Sequence, residues 1–191
     1  MTYSLSLKTA PALEPVLVAE LKTHSVVDFA DDDDYLKTLI NVARQQVEND
    51  TGRALINQTW LQQMECFDGE ITLNKGPVSA ISSIKYIDTD GVEQTLPMAN
   101  YTFGKRFGEA RICPSYGNSW PQVRQGLGAV TVEFIVGWGS GRDKVPYPLR
   151  QAIMIMAEHL YEHRGLTVTG SIAKVPMSYE SLIASYTRVD I

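Results

Sequence analysis

The sequence is short of cysteine, of basic residues and of long apolar runs, and each shortage excludes a class of protein. Its two cysteines, Cys66 and Cys113, are too few for a disulfide framework and lack the C-x-x-C spacing of zinc and redox motifs. Lys and Arg number 17 against 22 Asp and Glu, so the formal net charge is −5, and a general basic surface for gripping phosphates is not expected. The longest strictly apolar stretch, 152–157, is far too short for a membrane helix.

The remaining composition is that of a globular chain. The 191 residues are 44% hydrophobic and 20% charged, which is enough apolar material for a core and excludes wholesale disorder. Residues 1–11 lack the charged start and apolar run of a secretory signal. We therefore expect a soluble, intracellular, acidic protein that uses no cofactor and no membrane.

Residues 13–53 are predicted to form two helices. Pro15 suits a first helical turn, and a short apolar face runs up to His24. Four aspartates, Asp31–Asp34, precede a longer helix for which Gly52 is the natural left-handed stop. The predicted buried stripe of that helix consists of Leu36, Leu39, Ile40, Ala43 and Val47, while Lys37, Arg44, Gln45 and Glu48 fall on the other faces.

Residues 54–140 change to a period of two, which indicates antiparallel strands. Apolar residues at every second position of 130–136 predict a strand with one buried face. The segments 81–87 and 92–96 flank Asp88–Gly91, a turn with the Asp-Gly chemistry of a hairpin. Further short strands are predicted at 59–66, 101–103 and 110–113.

The helical pattern returns in the last part of the chain. A helix near 147–164 begins at Pro146 and Pro148 and ends at Gly165. The mixed segment 166–175 is predicted to be a mobile connection, and 178–186 a short helix. The apolar stripe of the long helix is predicted to be Leu149, Ile153, Met156, Ala157 and Leu160. That of the short helix is Leu182 with Ile183.

This order of elements predicts an α+β fold by segregation and not by βαβ alternation. The helical body would comprise 13–53 and 145–186, the antiparallel β-insertion 54–140, and the flexible link with the C-terminal tail 166–191.

Two patterns suggest chemistry and also have simpler explanations. His159, Glu162 and His163 match the H-x-x-E-H arrangement of inverted zinc proteases, for which Glu180 is the one carboxylate of the C-terminal helix that could be a third ligand. Cationic side chains also favour the end of a helix dipole, and we prefer that explanation. Likewise Asp31–Asp34 lacks the alternating spacing of a calcium loop, so these residues are expected to cap a helix.

Aromatic residues of the β-insertion suggest a third possibility. Trp60, Trp120 and Trp138, with nine tyrosines in the chain, could line a surface for stacking sugars or bases. Aromatic residues on short strands more often form core and cross-strand pairs. The glycine-rich segment 137–141 lacks the Lys-Ser/Thr pair of a phosphate loop and is predicted to be a bend.

Three segments resemble one family, the tailed-phage head–tail connector proteins (adaptor or head-completion proteins). Residues 51–60 resemble the TGRAL-x-x-QTW segment of that family. Residues 77–91 are similar to its PV-x-x-I-x-S-I-x-Y-x-D-x-D-G hairpin, and 145–153 to its VP-x-x-L-R-Q-A-I helix start. The likeness extends from about residue 14 to residue 186.

The resemblance implies a structural virion protein and not an enzyme, with no catalytic residues to carry over. It implies a ring, twelve-fold on the portal, that extends the DNA channel and joins the portal to a stopper or tail-completion protein. Double-stranded DNA would pass through without specific binding. The expected location is the head–tail junction of the virion, after a period in the host cytoplasm, and the C-terminal segment would engage the portal.

Two groups of site residues follow from this role. A channel for DNA should not grip phosphate, so Asp31, Asp32, Asp33 and Asp34 are predicted to contribute to the lumen or its mouth. Deleting 166–191 is expected to leave a folded monomer that cannot join the portal. The portal contact is predicted at Val175, Tyr179, Leu182, Ile183 and Tyr186. The alternatives are a metal-dependent hydrolase built on His159, Glu162 and His163, and an aromatic-lined binding module on the β-insertion.

Overall fold

The computed structural model describes residues 3–106, 109–124, 126–163 and 177–188. The chain divides into two compact units, each assembled from two stretches of sequence. We name the first, Met1–Pro11 with Asn57–Trp138, the sheet unit, and the second, Ala12–Ile56 with Gly139–Ile191, the helical unit. The predicted α+β class, with helices and antiparallel strands in separate regions, is confirmed.

The helical unit contains four described helices. They are α1 (Val18–His24), α2 (Asp33–Thr51), α3 (Tyr147–Glu162) and α4 (Met177–Ala184). Helix α3 packs against the other three, and α2 also contacts α1 and α4. Among the described residues, no helix combines the length and apolarity needed to cross a membrane.

Helix α2 follows the predicted pattern on its apolar side. All five residues of the predicted stripe are buried, and Gly52 ends the helix in the left-handed conformation with φ = +66°. The prediction that Arg44 and Glu48 face away from the core is wrong, since both are buried. Their burial becomes possible because they are paired with each other and with Glu14, as described below.

Two helix boundaries differ from the prediction. Helix α1 begins at Val18, because Leu17 is extended and its backbone N–H donates to the Glu20 carboxylate at 2.8 Å. The Pro15 carbonyl instead accepts a bond of 3.2 Å from Arg150 of α3. Helix α3 ends at Glu162, two residues before the predicted end.

The sheet unit contains two antiparallel sheets. The larger has the order β1 (Tyr3–Thr9), β2 (Gln58–Met64), β8 (Val130–Val136), β4 (Val78–Ile87) and β5 (Glu93–Thr95). The smaller has the order β3 (Ile71–Leu73), β7 (Glu109–Pro114) and β6 (Tyr101–Arg106). The strands β1 and β3 are absent from the sequence prediction, and the other six correspond to predicted segments.

Strand β8 lies at the centre of the larger sheet and shows the predicted alternation. Val130, Val132, Phe134 and Val136 are buried, while the residues between them are half-buried. The predicted hairpin joins β4 to β5, with Gly91 at φ = +84° donating its N–H to the Asp88 carbonyl at 3.0 Å.

Of the three chain connections between the sheet unit and the rest of the chain, the two at 56/57 and 138/139 meet at one pair of strands. Strands β2 and β8 are antiparallel, and their register places Gln58 opposite Val136. Paired residues in such a ladder are about 5 Å apart. The chain therefore enters and leaves the main part of the sheet unit at neighbouring positions.

Candidate functional site

The acidic run Asp31–Asp34 lies at the start of α2, where its carboxylates have different surroundings. Asp32 accepts a hydrogen bond of 2.6 Å from the Tyr161 hydroxyl of α3. Asp33 forms an ion pair of 2.8 Å with Lys22 of α1. Asp32 and Asp33 thus make contacts within the helical unit, whereas Asp31 and Asp34 are exposed.

The expected capping role of this run is only partly realised. Asp32 is the N-cap residue of α2, but its side chain makes no cap hydrogen bond, so that part of the prediction is wrong. The Asp32 backbone, with φ = −99° and ψ = 8°, is not in the extended conformation from which an N-cap carboxylate reaches the helix N–H groups. Asp33 and Asp34 occupy the first turn, where negative charge is favourable to the helix dipole.

The predicted portal-contact residues lie in or near α4. Val175 is outside the described residues, as is the whole predicted link 166–175. Tyr179 is only 2% exposed and Ile183 is also buried, while Leu182 and Tyr186 are half-buried. Tyr179 and Ile183 therefore anchor α4 to the helical unit and cannot touch a partner while α4 is docked.

Tyr179 connects α4 to the C-terminal part of α2. Its hydroxyl donates a hydrogen bond of 2.5 Å to Oδ2 of Asp50. The pKa of Tyr179 is raised far above the ordinary tyrosine value. The larger cause is burial of the ring, and the smaller is this bond to a carboxylate. The side chain thus remains a neutral donor at physiological pH.

The turn after α2 receives the residues that follow α4. Nε of Arg53 donates to the Tyr186 carbonyl at 2.6 Å, and the Arg188 backbone N–H donates to the Thr51 carbonyl at 2.9 Å. A Cβ atom on Gly52 would lie 3.4 Å from Cβ of Arg188. Thr51–Arg53 therefore forms a backbone dock for the C-terminal segment, a role that the sequence analysis did not predict.

One face of α4 remains open to solvent. The residues of this outer face are Met177, Ser178, Glu180, Ser181 and Ala184. The face combines one large apolar side chain with small and polar ones. This face can meet a partner without undocking of α4.

A buried charge network fixes the segment before α1 to α2. Arg44 and Glu48 are 5% and 6% exposed, and they form an ion pair of 2.6 Å. Arg44 also bonds Glu14 at 2.7 Å, and Asn41 donates to the other Glu14 oxygen at 2.8 Å. The second Glu48 oxygen accepts the Leu55 backbone N–H at 2.8 Å, so one network connects the segment before α1 to the segment after α2.

The zinc-protease pattern is placed at the C-terminal end of α3. The His159 and His163 rings are tilted against each other with centroids 4.5 Å apart, and Nδ1 of His163 lies 2.9 Å from the His159 carbonyl oxygen. Glu162 is exposed. Across the described ranges, no three His, Cys, Asp or Glu side chains are grouped so that they could hold a metal ion.

Three aromatic residues of the sheet unit pack on one another. Phe67 stacks on Trp120 with centroids 4.7 Å apart and meets Tyr86 edge-on at 5.8 Å. The Trp120 indole N–H donates to the Gly69 carbonyl at 2.7 Å. Nζ of Lys75 lies 5.2 Å from the centroid of Trp60. Phe67, Gly69, Lys75 and Trp120 lie outside the strands, so these are contacts of loops with one another and with β2 and β4, and not the cross-strand pairs that the sequence analysis preferred.

Comparison with known proteins gives a match to one family model over part of the chain and a shared fold over nearly all of it. The family model described as "Phage gp6-like head-tail connector protein" matches residues 16–95. No curated protein sequence matches the chain. The resemblance of the sequence to head–tail connector proteins is thereby confirmed.

Three solved structures are similar over nearly the whole chain. A chain from the neck of an empty GTA particle, computed with C6 symmetry, is 25% identical with a TM-score of 0.81 and covers 98% of this chain and 97% of its own. A chain from the native GTA neck computed with C12 symmetry is 26% identical with a TM-score of 0.78, at coverages of 98% and 97%. A chain from the virion of a native gene transfer agent particle shares the fold at 24% identity and a TM-score of 0.80, at coverages of 98% and 96%.

Proposed function

We propose that this chain, a structural connector of the phage head–tail type, assembles as a ring beneath the portal and extends the channel through which DNA passes. The observation that carries the proposal is the match over 98% of the chain to neck proteins from particles computed with C6 and C12 symmetry. A twelve-fold ring on the portal is the arrangement we expect. Its lower face would join a stopper or tail-completion protein.

The test is electron microscopy of the purified chain, alone and mixed with its portal protein. We expect twelve copies in one closed ring on the portal. A chain that forms no ring in either sample would overturn the proposal. Examination of the free protein also determines whether the ring forms before docking on the portal or only on docking. A chain that is still unassembled would reside in the host cytoplasm.

The charge of the chain suits a conduit for DNA. A net charge of −5 on each copy, repeated round a ring, disfavours a tight grip on phosphate and lets the duplex slide. We assign Asp31 and Asp34 to the lumen or its mouth, because they are the exposed members of the acidic run. A reconstruction of the ring with both residues on the outer rim would reject this assignment.

The portal contact is assigned to the outer face of α4. This assignment revises the set of portal-contact residues predicted from the sequence, because Tyr179 and Ile183 are buried and hold α4 in place. It also changes the experiment: deleting 166–191 would remove buried side chains and uncover apolar surface, so loss of docking could reflect misfolding.

A point substitution tests the portal contact more sharply. Met177→Asp alters an exposed side chain on the outer face and should leave the fold intact while weakening binding to portal-bearing capsids. Met98→Asp is the matched control, since Met98 is an exposed methionine in the sheet unit. Equal binding by the two variants would exclude a contact at Met177.

A further inference from the structure

Helix α1 ends in a turn that normally requires glycine. The Ser25 N–H makes the last helical bond, to the Leu21 carbonyl at 2.8 Å, and the Val27 N–H donates to the Lys22 carbonyl at 3.0 Å, which is the 6→1 bond of a Schellman-type helix end. Val26 occupies the left-handed position of this motif with φ = +53°. A β-branched residue is strained there, because its Cβ crowds the following carbonyl.

The strained residue is presented to solvent. The Val26 side chain is 90% exposed, and Phe29, three residues later, is 46% exposed. We name this pair the apolar knob. Strain combined with apolar exposure has no benefit for the isolated helical unit, and backbone strain that persists in proteins is concentrated at functional sites.

The loop that carries the apolar knob is held in one shape. Nζ of Lys22 donates to the Phe29 carbonyl at 2.6 Å and to Oδ1 of Asp33 at 2.8 Å. The Asp33 N–H donates to the Ala30 carbonyl at 3.1 Å. A preformed knob loses little conformational entropy when it binds, which favours a docking role.

The same unit contains a groove that could receive such a knob. It has a volume of about 380 Å³ and lies between the first turn of α1 and the first turns of α3. Arg150 bonds the Glu20 carboxylate and the Pro15 carbonyl, and these bonds hold the two helices together at the groove. We name it the α1–α3 groove; its lining residues are Glu20, Tyr147, Pro148, Arg150, Gln151 and Met154.

We propose that the apolar knob of one copy seats in the α1–α3 groove of the next copy. This rests on the proposed ring. Glu20 of the first turn of α1 lines the groove, whereas Val26 follows the last turn, so the two surfaces lie at opposite ends of one helix. A heterologous interface requires two such different surfaces on every subunit, and successive copies would meet head to tail.

The charges favour a second copy as the occupant. The segment 22–34 carries five carboxylates and one basic residue, a net charge of 1 − 5 = −4. The groove and the turn before it carry Arg142, Lys144 and Arg150 against Asp143 and Glu20, a net charge of 3 − 2 = +1. Opposite charges round an apolar contact select its partner and speed the encounter.

Disulfide trapping tests the contact directly. In a Cys66→Ser, Cys113→Ser background, mixing a Val26→Cys chain with a Gln151→Cys chain under oxidising conditions should give covalent dimers. A chain with both substitutions should give a ladder that ends at the full ring. The control chain, Val26→Cys with Met98→Cys, should give no ladder.

Assembly of point variants provides the second measurement. Val26→Gly removes the valine side chain of the apolar knob and relieves the strain, so the monomer should unfold at the same or a higher temperature while the concentration for half-assembly rises about tenfold. Phe29→Ser should weaken assembly in the same direction, and Leu127→Ser, an exposed site in the sheet unit, should not. The inference would be overturned if Val26→Gly chains form rings normally and if chains with cysteines at 26 and 151 give no covalent dimers. The proposal that the chain forms a ring would survive that result. A wild-type chain that never forms rings would overturn both proposals.

Discussion

A few polar side chains in the helical unit each hold separate parts of the chain together. Arg44 is shared between Glu14 and Glu48, and Tyr179 is committed to Asp50. The Arg44–Glu14 and Tyr179–Asp50 contacts join segments distant in sequence, whereas Arg44 and Glu48 lie one turn apart on α2, and each contact is buried or half-buried. Removing one partner leaves the other without compensation in a poorly solvated place.

Substitution of the shared arginine should be costly. Arg44→Ala leaves the Glu48 carboxylate buried and uncompensated, and we expect the free energy of unfolding to fall by about 3 kcal/mol. Lys37→Ala, an exposed site on the same helix, should change it by less than about 0.5 kcal/mol. Urea denaturation of both variants measures the difference, and equal values would show that the network does not stabilise the unit.

Loss of a single hydroxyl tests the attachment of α4. Tyr179→Phe removes the bond to Asp50 and should lower the free energy of unfolding by about 1.5–3 kcal/mol, the range for a hydrogen bond to a charged group. Tyr147→Phe is the matched control, because the Tyr147 side chain is exposed. A similar stability for both variants would mean that Asp50 finds water as an equally good partner.

The same tyrosine predicts a dependence on alkaline pH. The folded state raises the pKa of Tyr179 above the ordinary value of 10.0, so its contribution to stability is complete below that pH and is lost as pH rises above it. The loss is up to about 1.4 kcal/mol per pH unit. Denaturation of wild type and Tyr179→Phe at about pH 9 and pH 11 should show that the difference in their free energies of unfolding, the gap between them, is smaller at the higher pH. A constant gap would contradict the raised pKa.

At the scale of elements, the ends of helices are harder to predict than their middles. The buried stripe of α2 and the alternation of β8 follow from the sequence, because burial on one side imposes a fixed period on either element. The start of α1 depends on Glu20 reaching back to Leu17, and its end depends on a valine in a position where glycine is usual. Neither leaves a periodic signal.

Because Val26 is in the left-handed conformation, its replacement by glycine should stabilise the monomer. Val26→Gly should raise the free energy of unfolding by about 0.5–1 kcal/mol, because the relief of left-handed strain exceeds the added entropy of the unfolded chain. Thermal or urea denaturation of the monomer measures it. Val92→Gly, an exposed valine without positive φ, should give no gain. A loss at position 26 would mean that the turn carries no strain.

At the scale of the whole molecule, each unit draws on two distant stretches of sequence. The alternation of Tyr3, Leu5 and Leu7 is too brief to distinguish an edge strand from a loop, and β3 has only three residues. The dock at Thr51–Arg53 and the burial of Tyr179 depend on partners more than a hundred residues away. Such contacts are set by the fold and not by local pattern, so the sequence predicts the class of elements better than the sites.

The register of β2 and β8 predicts that the helical unit can stand alone. Because Gln58 is opposite Val136, a short Gly-Ser linker can join residue 56 to residue 139 once residues 1–11 are also removed. The shortened chain should fold cooperatively, with a helical circular dichroism spectrum. The control carries the same linker and Arg44→Ala, and should unfold more readily. An unfolded shortened chain would show that the helices need the sheet unit.

The same register has a mechanical consequence. Tension applied between residues 56 and 139 would reach β2 and β8 at the same end of an antiparallel pair, starting at Gln58 and Val136. Load in that direction separates the ladder one rung at a time, which needs far less force than shearing all rungs together. The weakest point of the sheet unit is the pair of strands through which the chain enters and leaves it.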